Sequence, residues 1–371
     1  MFLAWREMRE AKVRFSLLIV AIALLLFLIL AQQAIQDGLI NSFVGAITRQ
    51  SAPILVYSVD GQRTLQGSVI TPPLQAKIEG VAGVGEAGKI GQSTFTASVS
   101  GGRNESVALF GYEKANVGGP DGLVAGRMPS APGEGVGSDS DFAVGDTVRL
   151  DGARSAAEVR IVGLASNAQI QVSPTVFVRW PDYVAWIKAS NPDATAVPPS
   201  AIGVAPAGGT SALELVTRIN DAAPEADALT RRQAADSTPG VANVRNSFRL
   251  IFLLFALVVP LVAGLFFLIV TLQKSRALTL LRAIGVRPAA LVRSLLAQVS
   301  IVLCAGIALG TLLFVPLSQL KIGSIELSFN PGSVLVWAGL LLVLGLASAL
   351  VAARRVLSID PIEATTGGGA W

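Results

Sequence analysis

Four apolar runs of membrane-spanning length constrain this chain more than any other feature of its sequence. They cover residues 15–34, 249–272, 294–317 and 333–353. Each run is about 20 residues long, the length that a helix needs to cross roughly 30 Å of hydrocarbon at about 1.5 Å per residue. The runs therefore predict four transmembrane helices.

The first run also has the basic leader and apolar core of a signal peptide. Its core is long, and the following "LAQQAIQDG" is a poor cleavage site. We therefore predict that this run is retained as a span.

Residues 35–248, between the first two runs, have the composition of a soluble domain. Helices are predicted at 72–81, which begins with proline, and at 211–222, which has a serine N-cap. Glycine and proline cluster at 118–137 and predict a loop. Extended, β-branched stretches predict strands at 53–59, 93–99, 105–112, 146–150, 157–165, 174–180 and 201–206. The predicted fold is an α-helical membrane protein with four transmembrane helices and a mixed α/β extracytoplasmic domain inserted between the first and second.

Basic residues predict the orientation of these spans, because Lys and Arg favour cytoplasmic loops. The short loop 318–332 carries only Lys321 beside Glu326. The other short segments are rich in Lys and Arg: residues 1–14 (Arg6, Arg9, Lys12, Arg14), 273–293 (Lys274, Arg276, Arg282, Arg287, Arg293) and 354–371 (Arg354, Arg355). We therefore predict a multi-pass membrane protein with both termini on the cytoplasmic side. Its amphipathic lead-in, its 273–293 loop and its tail are cytoplasmic, and 35–248 and 318–332 lie outside.

Charge divides by compartment. Residues 35–248 hold 16 Lys and Arg against 20 Asp and Glu, which leaves 13 basic and five acidic residues for the rest of the chain. The overall net charge of +4 is therefore an orientation signal. Clustered basic residues with a nucleic-acid-binding motif are not found, so no nucleic-acid partner is predicted.

The residue inventory excludes several kinds of active site. The chain has no histidine and a single cysteine, Cys304, which excludes an internal disulfide, histidine acid–base catalysis and Cys/His zinc sites. Ser138, Asp139 and Asp141 crowd one loop, but such loops are commonly acidic and serine-rich. We predict no catalytic residue and no metal site.

The basic segment 273–293 has the pattern of a short amphipathic helix. Leu278, Leu281 and Ile284 recur at three-residue spacing, with Leu280 beside them. Gly285 can end this helix, and Pro288 can begin the next one. Two interpretations remain open: an interfacial helix on membrane lipids, or a helix seated in a groove of a cytoplasmic protein.

Four stretches of the chain resemble the MacB/FtsX-type permeases of ABC transporters, the type VII mechanotransmission family. One is the start "LAWREMREAKVRFSLLIVAIAL", which is similar to the family's amphipathic lead-in to the first span. The run Leu280, Leu281, Arg282, Ala283, Ile284, Gly285 is similar to the family's coupling loop. The tail "AARRVLSIDPIEA" and the order "GRMPS…VGDTVRL…VRIVGLA" in the outer domain resemble the family as well. Ala277 and Thr279 depart from it, since many members carry glutamate and glycine there.

The resemblance implies a permease subunit of the bacterial plasma (inner) membrane, above a separate ABC ATPase. The chain has no G-x-x-x-x-G-K-[ST] phosphate loop, so ATP and Mg are expected on a partner ATPase dimer, with no cofactor on this chain and no enzymatic activity of its own. The implied partners include a second permease copy, as a homodimer, and membrane lipids, with an extracytoplasmic adaptor or hydrolase left open. The implied ATPase-coupling residues are Arg276, Leu278, Leu280, Leu281, Arg282, Ala283, Ile284 and Gly285.

Gly306 and Gly310 form a G-x-x-x-G in the third run, a spacing that permits close helix contact. Packing within one subunit and packing between two copies are both compatible with it.

Three functions fit the sequence. The first is an ABC permease that transmits ATP-driven motion to the extracytoplasmic domain and exports or extracts a substrate at the outer membrane face. The second is an FtsX-like transmitter that activates an extracytoplasmic partner such as a cell-wall hydrolase. The third is a membrane-anchored sensor or binding protein without an ATPase, whose basic helix binds lipid.

Overall fold

The computed structural model describes residues 12–102, 104–151, 157–273, 288–318, 321–322, 325–327 and 330–357. The chain divides into two compact units. The membrane unit contains residues 1–36, 247–320 and 327–371, and the α/β unit contains 37–246 and 321–326.

The elements follow one another along the chain in an order that separates the apolar helices from the sheet. In the described residues they are α1 (Lys12–Arg49), β1 (Ile54–Ser58), α2 (Pro72–Glu79), β2 (Val84–Val99), β3 (Asn104–Tyr112), β4 (Ala125–Gly126), β5 (Glu134–Ser138), β6 (Thr147–Leu150), β7 (Glu158–Ala165), β8 (Thr175–Arg179), α3 (Trp180–Ser190), β9 (Ala201–Pro206), α4 (Ala212–Ala222), β10 (Ala226–Thr230), α5 (Arg231–Ser237), α6 (Val241–Gln273), α7 (Pro288–Leu317), β11 (Lys321–Ile322), β12 (Ile325–Glu326) and α8 (Pro331–Leu357).

Four helices, α1, α6, α7 and α8, are long and apolar enough to cross a membrane, which confirms the predicted number of spans. Proline opens both α7 and α8, where its fixed φ suits the first helical turn and its missing N–H costs no hydrogen bond. The helices pack through two apolar clusters of the membrane unit. One joins α1, α7 and α8 through Phe15, Leu18, Ile22, Val299, Val302, Leu303 and Ala349. The other is centred on Leu26, Ile29, Leu30, Phe314 and Leu341.

The α/β unit is built on a ten-stranded sheet in the order β10-β1-β9-β2-β3-β8-β5-β7-β4. The β3–β8 and β5–β7 pairs are parallel and the others are antiparallel. The remaining strand, β6, pairs with both β2 and β7 and so closes six of the strands into a ring.

Three apolar cores stabilise the α/β unit. The ring strands and α3 enclose one, with Val107, Leu109, Val176, Val178 and Trp186 among its members. Alternate residues of the same strands, such as Phe110 and Phe177, face a second core that also includes Val44, Ala46 and Ile47 of α1. Helices α2 and α4 cover the third, on β1, β9 and β10. This division follows from the alternation of side chains along a strand.

Each of the seven predicted strands is found, and the two predicted helices correspond to α2 and α4. Ser211 caps α4 as predicted, since its hydroxyl accepts a hydrogen bond from Glu214 N at 3.2 Å. The predicted loop 118–137 was wrong in part, because β4 and most of β5 lie within it. Strand β5 is rich in glycine because a Cβ at Gly135 or Gly137 would lie 2.7 Å from Val176 or Phe142. The sequence also did not predict α3, β10 and α5.

Candidate functional site

The eight predicted ATPase-coupling residues (Arg276, Leu278, Leu280, Leu281, Arg282, Ala283, Ile284 and Gly285) lie outside the described residues. The flanks of their segment are described. Helix α6 ends at Gln273 and α7 begins at Pro288, so one short segment joins two apolar helices. Arg293, in the first turns of α7, is exposed.

The predicted helix-packing glycines lie on α7 where it contacts α1 of the same chain. A Cβ at Gly306 would lie 2.7 Å from Ile22 Cγ2, and a Cβ at Gly310 would lie 2.6 Å from the main-chain oxygen of Ala23. The G-x-x-x-G surface is therefore covered within one subunit, and the two backbones approach because neither glycine has a side chain.

The predicted cluster of Ser138, Asp139 and Asp141 holds its loop through hydrogen bonds. The Asp141 carboxylate accepts a bond from the Ser138 hydroxyl, one from the Ser140 hydroxyl at 2.8 Å, and two from Gln169 Nε2 at 2.9 and 2.7 Å. The Asp141 carboxylate therefore connects the loop after β5 to Gln169. In the part of the chain that the structure describes, no three Asp, Glu, Cys or His side chains group as metal ligands.

The segment 167–173, which we call the strap, joins β7 to β8 and lies against the last turns of α1. Ala46 N–H donates to Gln169 O at 2.8 Å. Gln171 N–H donates to Phe43 O at 3.0 Å, and Val172 N–H donates to Ser42 O at 2.8 Å. Val44 and Ile170 are paired as an isolated antiparallel bridge. Three main-chain hydrogen bonds thus attach a helix to the sheet.

The contact between α1 and the strap is specific, because the two main chains approach closely at Gly45 and three strap residues have positive φ angles. A Cβ at Gly45 would lie 2.2 Å from Asn167 O, so a larger residue would push the strap away. Asn167, Gln171 and Val172 have φ values of 49°, 52° and 58°. A branched residue such as valine rarely adopts this conformation, and each such residue costs on the order of 1–3 kcal/mol. The surrounding contacts must therefore offset the strain.

Sequence reasoning missed the strap entirely. The one local signal was Gly45, a glycine inside a helical run, where glycine is less favourable than alanine and can have a packing role. The contact itself joins residues more than a hundred positions apart in the chain, and no local pattern reports it.

The carboxylate of Glu134 stabilises the turn at 127–134. Glu134 pairs with the Arg127 guanidinium, through Nη1 at 2.8 Å and through Nη2. Its Oε2 also accepts hydrogen bonds from Ser130 N at 2.8 Å and Ala131 N at 3.0 Å. These contacts, led by the Arg127 hydrogen bond, hold the pKa of Glu134 well below its usual range.

Glu134→Gln is expected to destabilise the protein at neutral pH, and to do so progressively less as the pH falls below 4.5. A depressed carboxyl pKa in the folded state stabilises the fold above the unfolded-state pKa, near 4.5, and this contribution declines as pH falls below it. The measurement is the denaturation midpoint of the full chain in detergent at pH 7 and at about pH 3. The control is Glu158→Gln, which removes an exposed pair with Arg149. An equal midpoint difference at both pH values would contradict the prediction.

Comparison with known proteins places the C-terminal region in a family. Residues 249–361 match the family model "FtsX-like permease C-terminal". These residues include α7, α8, most of α6 and the segment that joins α6 to α7.

Two relatives that align with the whole chain are named as permeases. The chain is 22% identical over 371 residues to the "Putative hemin transport system permease protein HrtB" of Staphylococcus haemolyticus, and the alignment covers 99% of each protein. It is 24% identical over 371 residues to an ABC transporter permease of Mycobacterium tuberculosis, again with 99% of each covered.

Solved structures align with part of the chain. The periplasmic region of MacB from Actinobacillus actinomycetemcomitans covers 52% of this chain and 95% of its own, with a TM-score of 0.36 and 9% identity. The extracellular domain of the transporter YknZ from Gram-positive bacteria covers 48% and 99%, with a TM-score of 0.32 and 13% identity.

The family match includes the helices that flank segment 274–287, and the alignments with the two permeases cover 99% of the chain. Residues 249–361 therefore match the FtsX-like permease family, and the whole chain is similar to proteins named as permeases.

Proposed function

We propose that this permease transmits ATP-driven motion from a separate ATPase dimer to its α/β unit, which acts on a substrate at the outer face of the bacterial plasma membrane. One observation carries the proposal. Helix α1 contributes Phe15, Leu18 and Ile22 to a core of the membrane unit, and Val44, Ala46 and Ile47 to a core of the α/β unit. A displacement of this helix would act on buried side chains in both.

The ATPase would bind the coupling segment at 274–285. Its leucines and Ile284 would fill a groove, and Arg276 and Arg282 would contact acidic or polar groups at its rim. The Lys and Arg bias of the short loops supports a cytoplasmic location for this segment and for both termini. A second copy of the chain, as a homodimer, would match the two ATPase subunits.

The substrate that best fits the membrane unit is an amphiphile taken from the outer leaflet. Residues 15–34, 250–272, 294–317 and 333–353 contain no Asp, Glu, Lys or Arg, whereas polar pathways through membranes are lined by such groups. Hemin, named for the Staphylococcus relative, is amphiphilic and is the first compound to test. Because the chain has no histidine, imidazole cannot hold the iron of hemin here.

Purification of the chain from its native membrane in mild detergent, with mass spectrometry of the proteins that accompany it, tests the proposal. We expect a stoichiometric partner that carries a phosphate-binding loop, and ATP hydrolysis by the isolated complex. Recovery of an intact dimer without any ATPase would contradict the proposal and favour a membrane-anchored sensor.

A further inference from the structure

The strap forms hydrogen bonds with main-chain N–H and C=O groups of α1, which in a regular helix bond to one another. In a regular α-helix the N–H of residue 46 bonds to the carbonyl of residue 42. Here Ala46 N–H donates to Gln169 O, and Ser42 O accepts from Val172 N–H, each at 2.8 Å. The strap therefore bonds to the same kind of main-chain groups that form the hydrogen-bond ladder of α1. A contact of this kind is more specific than the packing of side chains on a helix surface.

Main-chain geometry allows only one register between α1 and the strap. The three hydrogen bonds connect fixed positions, so a shift of α1 by one residue would remove all of them. Such a shift would also bring Val44 or Ala46 to the place of Gly45, where a Cβ lies 2.2 Å from Asn167 O. The strap cannot slide along the helix, and α1 can move only with it or by detaching from it.

Side chains connect the strap to two further parts of the α/β unit. Gln169 donates to Asp141 in the loop after β5. Gln171 and Gln66 exchange two amide hydrogen bonds, at 2.9 and 3.3 Å, and Gln66 lies in the loop between β1 and α2. Ala168 and Ile170 are buried between these contacts. A force on the strap would therefore reach both the loop after β5 and the loop between β1 and α2.

We propose that the strap and Gly45 form the joint through which α1 moves the α/β unit. The strap is a positioning element that stays closed through the transport cycle and holds α1 in register with the sheet. This inference rests on the proposed function and assigns it to specific main-chain contacts outside the membrane-spanning residues.

The test compares Gly45→Ala with the matched change Gly339→Ala, at a helix glycine whose added Cβ meets nothing within 4 Å. The full chain with its co-purified ATPase is placed in lipid nanodiscs, and hydrogen exchange is measured with and without ATP and vanadate. In Gly45→Ala we expect the Gln171 and Val172 amides to exchange about tenfold faster or more, because their acceptors on α1 are displaced. The ATP-dependent change in exchange should disappear from the sheet and persist in α1. Gly339→Ala should behave as the unaltered chain.

A disulfide cross-link provides a second test of the inference, in which the strap is kept attached to α1. Val44→Cys and Ile170→Cys, in a Cys304→Ser chain, place thiols at paired positions. With the disulfide formed, we expect the ATP-dependent change in the sheet to remain. Its loss on oxidation and return on reduction would show that the strap must open, and would overturn the inference. Persistence of the change in Gly45→Ala would overturn it as well. Absence of any ATP-dependent change in the unaltered chain would overturn the proposed function, and the inference with it.

Discussion

Leu281→Asp combined with Arg282→Glu is expected to abolish ATP-driven function while leaving the protein in the membrane. An apolar anchor buried in a partner's groove contributes roughly 2 kcal/mol or more to binding, which corresponds to an affinity loss of about 30-fold. Charge reversal at Arg282 adds repulsion if its contacts on the ATPase are acidic. The measurement is the amount of ATPase that co-purifies with the chain and the ATP hydrolysis rate of the complex.

The control for this double change is Arg293→Glu. Arg293 has the same charge and lies just beyond the coupling segment, exposed on the first turns of α7. We expect it to retain the ATPase. If the double variant also kept the ATPase and its hydrolysis rate, segment 274–285 would be a lipid-bound interfacial helix, and the coupling assignment would be wrong.

Gly310→Leu is expected to separate α1 from α7 and to destabilise the membrane unit. The added Cβ would lie 2.6 Å from Ala23 O, and main-chain atoms inside a helix cannot move aside as a flexible side chain can. Overpacking of this kind costs about 1–3 kcal/mol or more. The thermal midpoint of the purified protein in detergent should fall by about 5 °C or more.

Gly339→Leu is the matched control for this change, because a Cβ at Gly339 meets nothing within 4 Å. It adds the same side chain to a membrane helix without a collision, and we expect the midpoint to stay the same. An unchanged midpoint in Gly310→Leu would mean that the α1–α7 contact is not a determinant of stability. The G-x-x-x-G would then be free to serve contacts between two copies.

The local elements of the α/β unit could be predicted where their own residues specify them. Pro72 and Ser211 mark the starts of two helices, and β-branched runs such as 53–59 mark strands, because these residues favour those backbone conformations wherever they occur. Strand β5 could not be predicted in this way. Its glycines are poor strand formers, and it exists because Val176 and Phe142 leave no room for larger side chains.

Some features of the candidate site could likewise be predicted from the sequence, and others could not. The coupling segment, the predicted orientation and the absence of a phosphate loop are properties of contiguous residues, so they can be derived from the chain as written. The helix that packs on Gly306 and Gly310 could not be predicted, because G-x-x-x-G spacing indicates only that some helix can approach closely. The structure identifies α1 of the same chain as that helix.

The sequence by itself determined that this protein has four spans, a large inserted domain and a basic segment between the second and third spans. These features depend on the length of the apolar runs and on the positions of charged residues, and both are properties of contiguous residues. Only the tertiary structure decided how α1 is attached to the sheet. The strap, Gly45 and the Gln66–Gln171 pair come from distant parts of the sequence, and their hydrogen bonds exist only after the sheet has folded. Contacts of this kind are set by geometry in three dimensions, and so local sequence patterns do not report them.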